Sequence, residues 1–311
     1  MQTLAIVLRE PGQLGVAELD LVPPGQQDVV VDIQWSGIST GTERLLWSGE
    51  MPPFPGMGYP LVPGYESVGH VQWAGENSGR TVGDMVFVPG ANCYQGARGL
   101  FGGASARVVV PGERVIPIPS SLSEEGVLLA LTATAYHALA AGPLPELIVG
   151  HGVLGRLMAR LCVALNGTPP TVWETQTGRQ AGAQGYTVCH PDEDDRKDYA
   201  VICDASGDGG LLDTLISRLG HGGEIVLAGF YHAPLSFSFP PAFLREARLR
   251  VAAEWRPEDL KAVSQLIAAE QLSLHGLISH RQPAGQAPAA YEQAFGDPAC
   301  LKMILDWRQH P

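Results

Sequence analysis

The chain has 311 residues, of which 45% are hydrophobic, and a formal charge of -12 at pH 7. This length suits two ordinary globular domains, each with a core of its own. The negative charge and the absence of any block of Lys and Arg exclude nucleic acid as an expected partner, because phosphate binding needs a concentrated positive face.

The N-terminal segment MQTLAIVLREPGQLG predicts neither a signal peptide nor a membrane span. Its apolar run is short and ends at Arg9 and Glu10, whereas a span needs about 20 apolar residues. We therefore expect a cytoplasmic protein without an integral membrane segment. The cysteines are widely separated and never form a C-x-x-C pair, which indicates buried thiols rather than a disulfide framework or a structural zinc site.

Up to about Pro119 the chain consists of short β-type segments separated by Gly and Pro. These segments are LAIV, DVVVDI, SVGHVQW, DMVFV and ASARVVV, and together they predict a β-rich, barrel-like domain. A helical pattern follows, with Ser123 as the expected N-cap and an apolar face through Leu128, Leu131 and Tyr136. We expect a domain boundary near this helix.

From Pro145 onward, strand-like and helix-like runs alternate. The order is LIV, VLGRLMARLCVAL, TVW, a polar helix, YAVICDA, GLLDTLISRL and GEIVLAGF. Alternation of this kind is typical of an α/β domain with a doubly wound parallel sheet.

The segment ELIVGHGVLGRLMARL contains a G-x-G-x-x-G motif in its proper context, between a strand and an apolar helix. Gly150 permits a tight turn, Gly152 lets the backbone approach a pyrophosphate, and Gly155 lets helix and strand pack closely. The intervening residues share the loop and the helix N-terminus, where free N–H groups favour an anion: they are His151, Val153 and Leu154. The motif predicts a dinucleotide site. The side chain of His151 faces either the phosphates or solvent.

The strand TVW is followed by Glu174, whose carboxylate suits the ribose hydroxyls and repels a 2'-phosphate, so it favours NAD over NADP. Arg179 is near enough in sequence to the adenosine end to keep NADP open. Two later strands end at the sheet edge where ligands bind in open α/β sheets, and the cofactor candidates there are Ala205, Ser206, Ala228, Gly229 and Phe230.

A β-rich front part, a Rossmann-type part entered through LLALTATAYHAL, and a return at LISHRQPAGQAPAAYEQAF together resemble the medium-chain dehydrogenase/reductase family. The resemblance implies a GroES-like catalytic domain over residues 1–128 and 256–311 and a Rossmann dinucleotide-binding domain over residues 129–255. It also implies that Thr134 lies against the nicotinamide. The sheet edge around GEIVLAGFYHAPLSFSFP becomes a candidate homodimer interface.

Zinc-dependent members of that family have metal ligands where the segments GISTGTE, GYE and LLALTAT place Thr40, Tyr65 and Ala130. None of these three is a usual zinc ligand, so we expect no catalytic metal. Alcohol oxidation then needs another proton acceptor, and we predict Glu66 or Tyr65 as base with Thr42 as relay. The alternative is that Glu66 forms a structural salt bridge and Tyr65 fills the vacated metal cavity.

Further long matches, among them RGLFGGA and FPPAFLREARLRVAAEW, resemble the branch of this family that acts in bacteriochlorophyll biosynthesis. That resemblance implies a chlorophyllide-type tetrapyrrole substrate whose 1-hydroxyethyl group is oxidised to acetyl with NAD+. A Pro/Gly-stiffened loop supplies rigid apolar side chains for a flat macrocycle, and its candidates are Trp47, Met51, Phe54 and Tyr59. The alternatives are a loop that only packs on its own domain, a zinc-free quinone or enone reductase, and a non-catalytic pigment carrier.

Overall fold

The computed structural model describes residues 1–309. The strands are β1 (Gln2–Glu10), β2 (Gln13–Asp20), β3 (Asp28–Gly37), β4 (Leu61–Val62), β5 (Ser67–Ala74), β6 (Met85–Val88), β7 (Arg98–Gly99), β8 (Arg107–Pro111), β9 (Ile116–Pro117), β10 (Leu147–Val149), β11 (Thr171–Trp173), β12 (Thr187–Cys189), β13 (Tyr199–Asp204), β14 (Leu219–Leu227), β15 (Arg248–Val251), β16 (His280–Pro283) and β17 (Met303–Asp306). The α-helices are α1 (Thr42–Ser48), α2 (Leu129–Ala140), α3 (Val153–Ala164), α4 (Thr177–Gln180), α5 (Leu212–Arg218), α6 (Phe239–Arg245), α7 (Pro257–Ala268) and α8 (Ala287–Gly296).

The chain forms two compact units, Met1–Ala130 with His275–Pro311, and Leu131–Leu274. The first unit is built on two sheets, one in the order β2-β1-β4-β7 and one in the order β16-β17-β3-β5-β6-β9, with β8 also paired to β3. In β3, Val29, Val30 and Val31 are all buried and belong to the hydrophobic core of this unit.

The C-terminal strand β17 runs antiparallel to β3, with Ile304 opposite Gly37. The backbone N–H of Ile38 continues this pairing by donating to the Met303 carbonyl at 3.0 Å. Residues next to β17 are therefore placed beside the segment that follows β3, although the two lie at opposite ends of the sequence.

The second unit contains one six-stranded sheet in the order β12-β11-β10-β13-β14-β15. All its strands are parallel, with Val149 opposite both Trp173 and Asp204, and Asp204 opposite Leu227. The carboxyl ends of the four central strands are thus level with one another. The predicted fold class, a GroES-like β-rich domain plus a doubly wound parallel-sheet domain, is confirmed by this topology and by the comparisons given below.

Two boundaries differ from the sequence prediction. The helix expected from Ser123 begins at Leu129, since Ser120–Leu128 forms 3-10 turns that are interrupted at Ser123, where φ is 43°. The return to the first unit comes at His275 rather than at residue 256. The reason is that α7 packs within the second unit, where Asp259 bonds His137 at 2.8 Å and the buried Leu260 joins the interior.

Among residues 1–309, no helix is long and apolar enough to cross a membrane. The cysteines all carry free thiols, and all but Cys189 are buried.

Candidate functional site

The glycine-rich motif forms a tight turn between β10 and α3. Gly150 has φ of +96°, a conformation that favours glycine, and a Cβ at Gly155 would overlap the Gly150 carbonyl oxygen. Gly152 is the N-cap of α3, and the first turn of a helix leaves N–H groups without intrahelical acceptors. The structure therefore brings the motif, with Val153 and Leu154, into one turn that presents backbone N–H groups and positive dipole to an anion.

The side chain of His151 is directed neither to solvent nor toward an anion at the loop. It is fully buried; Nδ1 lies 2.7 Å from the Arg179 carbonyl oxygen and Nε2 lies 2.9 Å from the Tyr186 hydroxyl. Because a carbonyl only accepts, Nδ1 donates and Nε2 accepts from Tyr186. Burial lowers the pKa of His151 to about 4, so the ring is neutral and links the loop to the segment after β11.

Glu174 lies directly against the glycine-rich loop. One carboxylate oxygen accepts from the His151 backbone N–H at 3.2 Å, and the other accepts from the Gln176 N–H at 2.8 Å. Each oxygen keeps a further lone pair for another donor. The half-buried Arg179 is held through its carbonyl, which also accepts from Arg156 Nη2 at 2.9 Å.

The remaining cofactor candidates follow the level ends of the central strands. Gly150 approaches Ser206 so closely that an added Cβ would lie 3.3 Å from its backbone, while Ala228 and Gly229 both donate to the Asp204 carbonyl at 2.9 Å. Ala205 is bonded to the Val149 carbonyl at 2.9 Å. The side chain of Phe230 is about half exposed, and Thr134 is a half-buried residue of α2.

A cluster of hydroxyl groups forms the second candidate site, within the first unit. The Tyr65 hydroxyl lies 2.7 Å from Ser39 Oγ and 3.4 Å from Thr42 Oγ1. Thr40, the residue aligned with a metal ligand, is exposed, and Ser39 rather than Thr40 contacts Tyr65. Ser39 was not predicted, because the resemblance placed Thr40 of GISTGTE at the ligand position and only the fold shows which of the two residues meets Tyr65.

Glu66 is fully buried and forms an ion pair with the buried Lys302. Lys302 Nζ also donates to the Ile38 carbonyl at 3.0 Å. Burial raises the pKa of Glu66, and the charge of Lys302 opposes that shift. Lys302 was not predicted, since only the pairing of β17 with β3 brings it to this position.

Glu43 is a second buried carboxylate in the cluster. It accepts from the Ser39 N–H at 3.0 Å and from the Tyr291 hydroxyl at 2.5 Å. Burial raises the pKa of Glu43 to about 7, and the neighbouring Glu66 adds to the shift. The pKa of Tyr65 is also raised above its usual range, by burial and then by Glu66, so its phenol stays protonated near neutral pH.

The donors in this cluster do not fit a catalytic zinc. Ser39 and Tyr65 offer neutral hydroxyl groups, and the side chain of Ala130 has no atom that could bind a metal. The Glu66 carboxylate is already paired with the ammonium group of Lys302. Zinc in proteins takes thiolate, imidazole or carboxylate ligands. Within the described part of the chain, no group of three or more His, Cys, Asp or Glu residues has a geometry that would hold a metal ion.

The Pro/Gly-rich loop packs on its own unit. Met51 is 8% exposed and belongs to a cluster with Leu45 and Leu46, so the proposed contact of Met51 with a substrate is not supported. Trp47, Phe54 and Tyr59 are half-buried against the same cluster. Part of each of these side chains is exposed and is accessible to a ligand.

Residues 25–120 match the alcohol dehydrogenase GroES-like domain. The chain is 57% identical, over 99% of both proteins, to the 2-desacetyl-2-hydroxyethyl bacteriochlorophyllide A dehydrogenase of Rhodobacter capsulatus.

Two solved structures share the fold. One is a short chain alcohol dehydrogenase from Escherichia coli CFT073 complexed with NADH, with a TM-score of 0.83, 21% identity, and coverage of 98% of this chain and 99% of the other. The second is a dehydrogenase from Sinorhizobium meliloti 1021 bound to NADP, with a TM-score of 0.81, 20% identity, and coverage of 98% and 99%.

Proposed function

The chain belongs to the family of 2-desacetyl-2-hydroxyethyl bacteriochlorophyllide A dehydrogenases, and we propose that it oxidises the hydroxyethyl side chain of a bacteriochlorophyllide or chlorophyllide to acetyl. The observation that carries this proposal is the 57% identity over 99% of both chains. The predicted resemblance to medium-chain dehydrogenases is thereby confirmed. The protein acts as an oxidoreductase on a CH–OH group in bacteriochlorophyll biosynthesis.

The test is anaerobic incubation of metal-stripped protein with 3-hydroxyethyl bacteriochlorophyllide a and NAD+, following pigment absorption and NADH together. We expect a shift of the pigment band with one NADH formed per pigment oxidised. Pigment binding without NADH would identify a carrier instead. Consumption of NADPH with a quinone or enone, and none with the pigment, would identify a reductase.

The cofactor is a nicotinamide dinucleotide, held by the turn at Gly150, Gly152 and Gly155 and by the N–H groups of Val153 and Leu154. The turn fits such a group because Gly152 has no side chain and faces open space, with nothing within 4 Å of where a Cβ would lie, so a pyrophosphate can approach its backbone. When bound, NAD+ supplies the hydride acceptor.

Within this site Glu174 selects NAD over NADP. Its carboxylate retains lone pairs for the ribose hydroxyls beside its bonds to His151 and Gln176, and it would repel a 2'-phosphate. The strand-end residues 205–206 and 228–230, together with Thr134, complete the cofactor-binding set.

The proton leaves through hydroxyl groups in the first unit. As hydride leaves the carbinol carbon and the C=O bond forms, Tyr65 accepts the proton from the substrate oxygen and passes its own to Thr42 Oγ1, while Thr42 gives up its own proton. Ser39 Oγ holds the Tyr65 hydroxyl in place at 2.7 Å. Thr42 is half-buried, so it can release the proton to water. Tyr65 begins and ends protonated, in keeping with its raised pKa.

Glu66 acts on this step from a distance. It is fully buried and ion-paired with Lys302, so it does not itself take the substrate proton. Its charge raises the pKa of the adjacent Tyr65 and so keeps the relay in its protonated form. Thr40 has no part in the relay.

Trp47, Phe54 and Tyr59 form an apolar wall for the macrocycle. Tyr59 is fixed by its hydroxyl, which donates to the Leu46 carbonyl at 2.6 Å. A carboxylate on the substrate needs a cation, and Arg107 is already engaged with Asp32. Arg98 is exposed beside this loop, where its guanidinium donates weakly to the Gly56 carbonyl at 3.4 Å, and it suits that role.

The segment GEIVL belongs to β14, which lies inside the sheet rather than at its edge. Two copies associate instead through the edge strand β15 and the adjoining α6. β15 ends the parallel sheet, and the surface there carries exposed Phe239, Phe243, Leu244 and Val251. An edge strand offers unpaired backbone groups to a second chain. Sedimentation of the wild type and of Phe243→Glu tests this association, and we expect a dimer only for the wild type.

The cytoplasmic location stays a prediction.

A further inference from the structure

A buried carboxylate lies at the point where the parallel sheet reverses its strand order. The chain proceeds outward from β10 through β11 and β12, then returns to the other side of β10 as β13. Ligands of open α/β sheets bind outside the carboxyl ends of strands at such a switch point. Asp204 is the last residue of β13 and is 1% exposed.

Both oxygens of Asp204 accept hydrogen bonds from the loops that follow two neighbouring strands. Oδ1 accepts from the Ser206 N–H at 2.9 Å and from the Ser206 hydroxyl at 2.6 Å. Oδ2 accepts from the Tyr231 hydroxyl at 2.7 Å. Burial raises the pKa of Asp204, and the bonds from Ser206 and Tyr231 oppose this by favouring the carboxylate.

The loops held in this way are in close contact with the glycine-rich turn. An added Cβ on Gly150 would lie 3.3 Å from the Ser206 backbone, and one on Gly229 would lie 2.6 Å from the Gly207 nitrogen. A small displacement of Ser206 would therefore reach Gly150 directly. The carboxylate of Asp204 bonds the loops after β13 and β14, and the first of these loops lies against the glycine-rich turn.

We propose that Tyr231 and Asp204 are positioning residues for the dinucleotide, which lock the loops after β13 and β14 against the glycine-rich turn. This inference rests on the proposed cofactor. Neither residue needs to contact it, since Tyr231 acts through Asp204 and Asp204 acts through Ser206. Without the Tyr231 hydroxyl, one oxygen of a buried carboxylate loses its donor, and such a group moves or attracts water to recover a partner.

The test is NADH binding, measured by fluorescence titration without any pigment substrate, in the wild type and in Tyr231→Phe. The matched control is Tyr199→Phe. Tyr199 lies at the other end of β13, and its hydroxyl also donates to a carboxylate, Asp194, at 2.7 Å. Each variant loses one such bond, at one of the two ends of β13, but only Tyr231 is next to the switch point.

We expect Tyr231→Phe to bind NADH about tenfold more weakly, which is about 1.4 kcal/mol, and Tyr199→Phe to bind like the wild type even where its melting temperature falls. Ser206→Ala should weaken binding as well. The double variant of Tyr231→Phe and Ser206→Ala should lose less than the two separate losses added, because both act through one carboxylate.

Equal affinity of Tyr231→Phe and the wild type would overturn the inference and leave the proposed function standing. Equal weakening in Tyr199→Phe would also overturn it, because the effect would then be general loosening of the sheet. Should Tyr231→Phe fail to fold, Asp204→Asn decides, because the amide offers one oxygen where the carboxylate offers two to Ser206 and Tyr231; unchanged NADH affinity there refutes the positioning role. A wild type that binds neither NADH nor NADPH would refute the proposed cofactor itself.

Discussion

Replacement of Glu43 by Gln is expected to change how stability depends on pH. The pKa of Glu43 rises from 4.5 to about 7 on folding, mainly through burial. A carboxyl whose folded pKa is raised contributes stability that is fully present below the unfolded pKa and is lost as pH rises through the folded pKa. The wild type should therefore lose stability between about pH 4.5 and pH 7 relative to Glu43→Gln, which does not titrate.

The expected size follows from the two pKa values. With a pKa of 4.5 unfolded and about 7 folded, the stability of the wild type relative to Glu43→Gln should fall by about 2.5 kcal/mol between pH 5 and pH 8. The amide keeps an oxygen that can accept from the Tyr291 hydroxyl, which now donates to Glu43 at 2.5 Å. The substitution therefore removes the titrating carboxyl group but keeps the size of the side chain and the hydrogen bond from Tyr291.

The assay is urea unfolding at several pH values, followed by tryptophan fluorescence. Trp35 and Trp307 report on the unit that contains Glu43 and are both buried. Glu113→Gln serves as the control because Glu113 is exposed, and its stability should run parallel to that of the wild type. A difference between wild type and Glu43→Gln that stays constant within about 0.5 kcal/mol over this range would refute the reasoning.

Further outcomes are expected at five positions. Lys302→Met should cost about 3–5 kcal/mol in urea unfolding, because it leaves the buried Glu66 without its counter-ion. The double variant with Glu66→Gln should recover much of that loss, and no recovery would argue against the pair. Tyr65→Phe should lower kcat about 100-fold or more with little change in NAD+ affinity. Thr40→Ala should keep wild-type turnover. If Tyr65→Phe turned over as fast as Thr40→Ala, Tyr65 would not be part of the relay. Glu174→Ala should reduce the ratio of kcat/KM for NAD+ to that for NADP+ about tenfold or more, and an unchanged ratio would show that Glu174 does not select the cofactor.

Local sequence was sufficient to predict the tight glycine-rich turn between β10 and α3. Gly150, Gly152 and Gly155 need only the strand before them and the helix after them, and both are apparent from the hydrophobic pattern. The parallel sheet followed from the alternation of strands and helices. The placement of Glu174 beside the turn followed as well, because the ends of neighbouring parallel strands lie level.

The environment of each polar side chain was decided only by tertiary structure. His151 lies in the predicted loop, yet its ring is turned inward by the Arg179 carbonyl and Tyr186, which no local pattern encodes. Met51 was expected to contact a ligand and is instead buried in its own unit.

In the hydroxyl and carboxylate cluster of the first unit, the sequence and the tertiary structure again determine different features. The sequence by itself determined that this chain resembles a dehydrogenase without the usual zinc ligands, because Thr40, Tyr65 and Ala130 stand at those aligned positions. Only the folded chain shows that Ser39 meets Tyr65 and that Lys302 pairs with Glu66. The physical reason is that a buried charge requires a partner within a few ångströms in space. That partner directly precedes β17, which pairs with β3 although the two strands are far apart in the sequence.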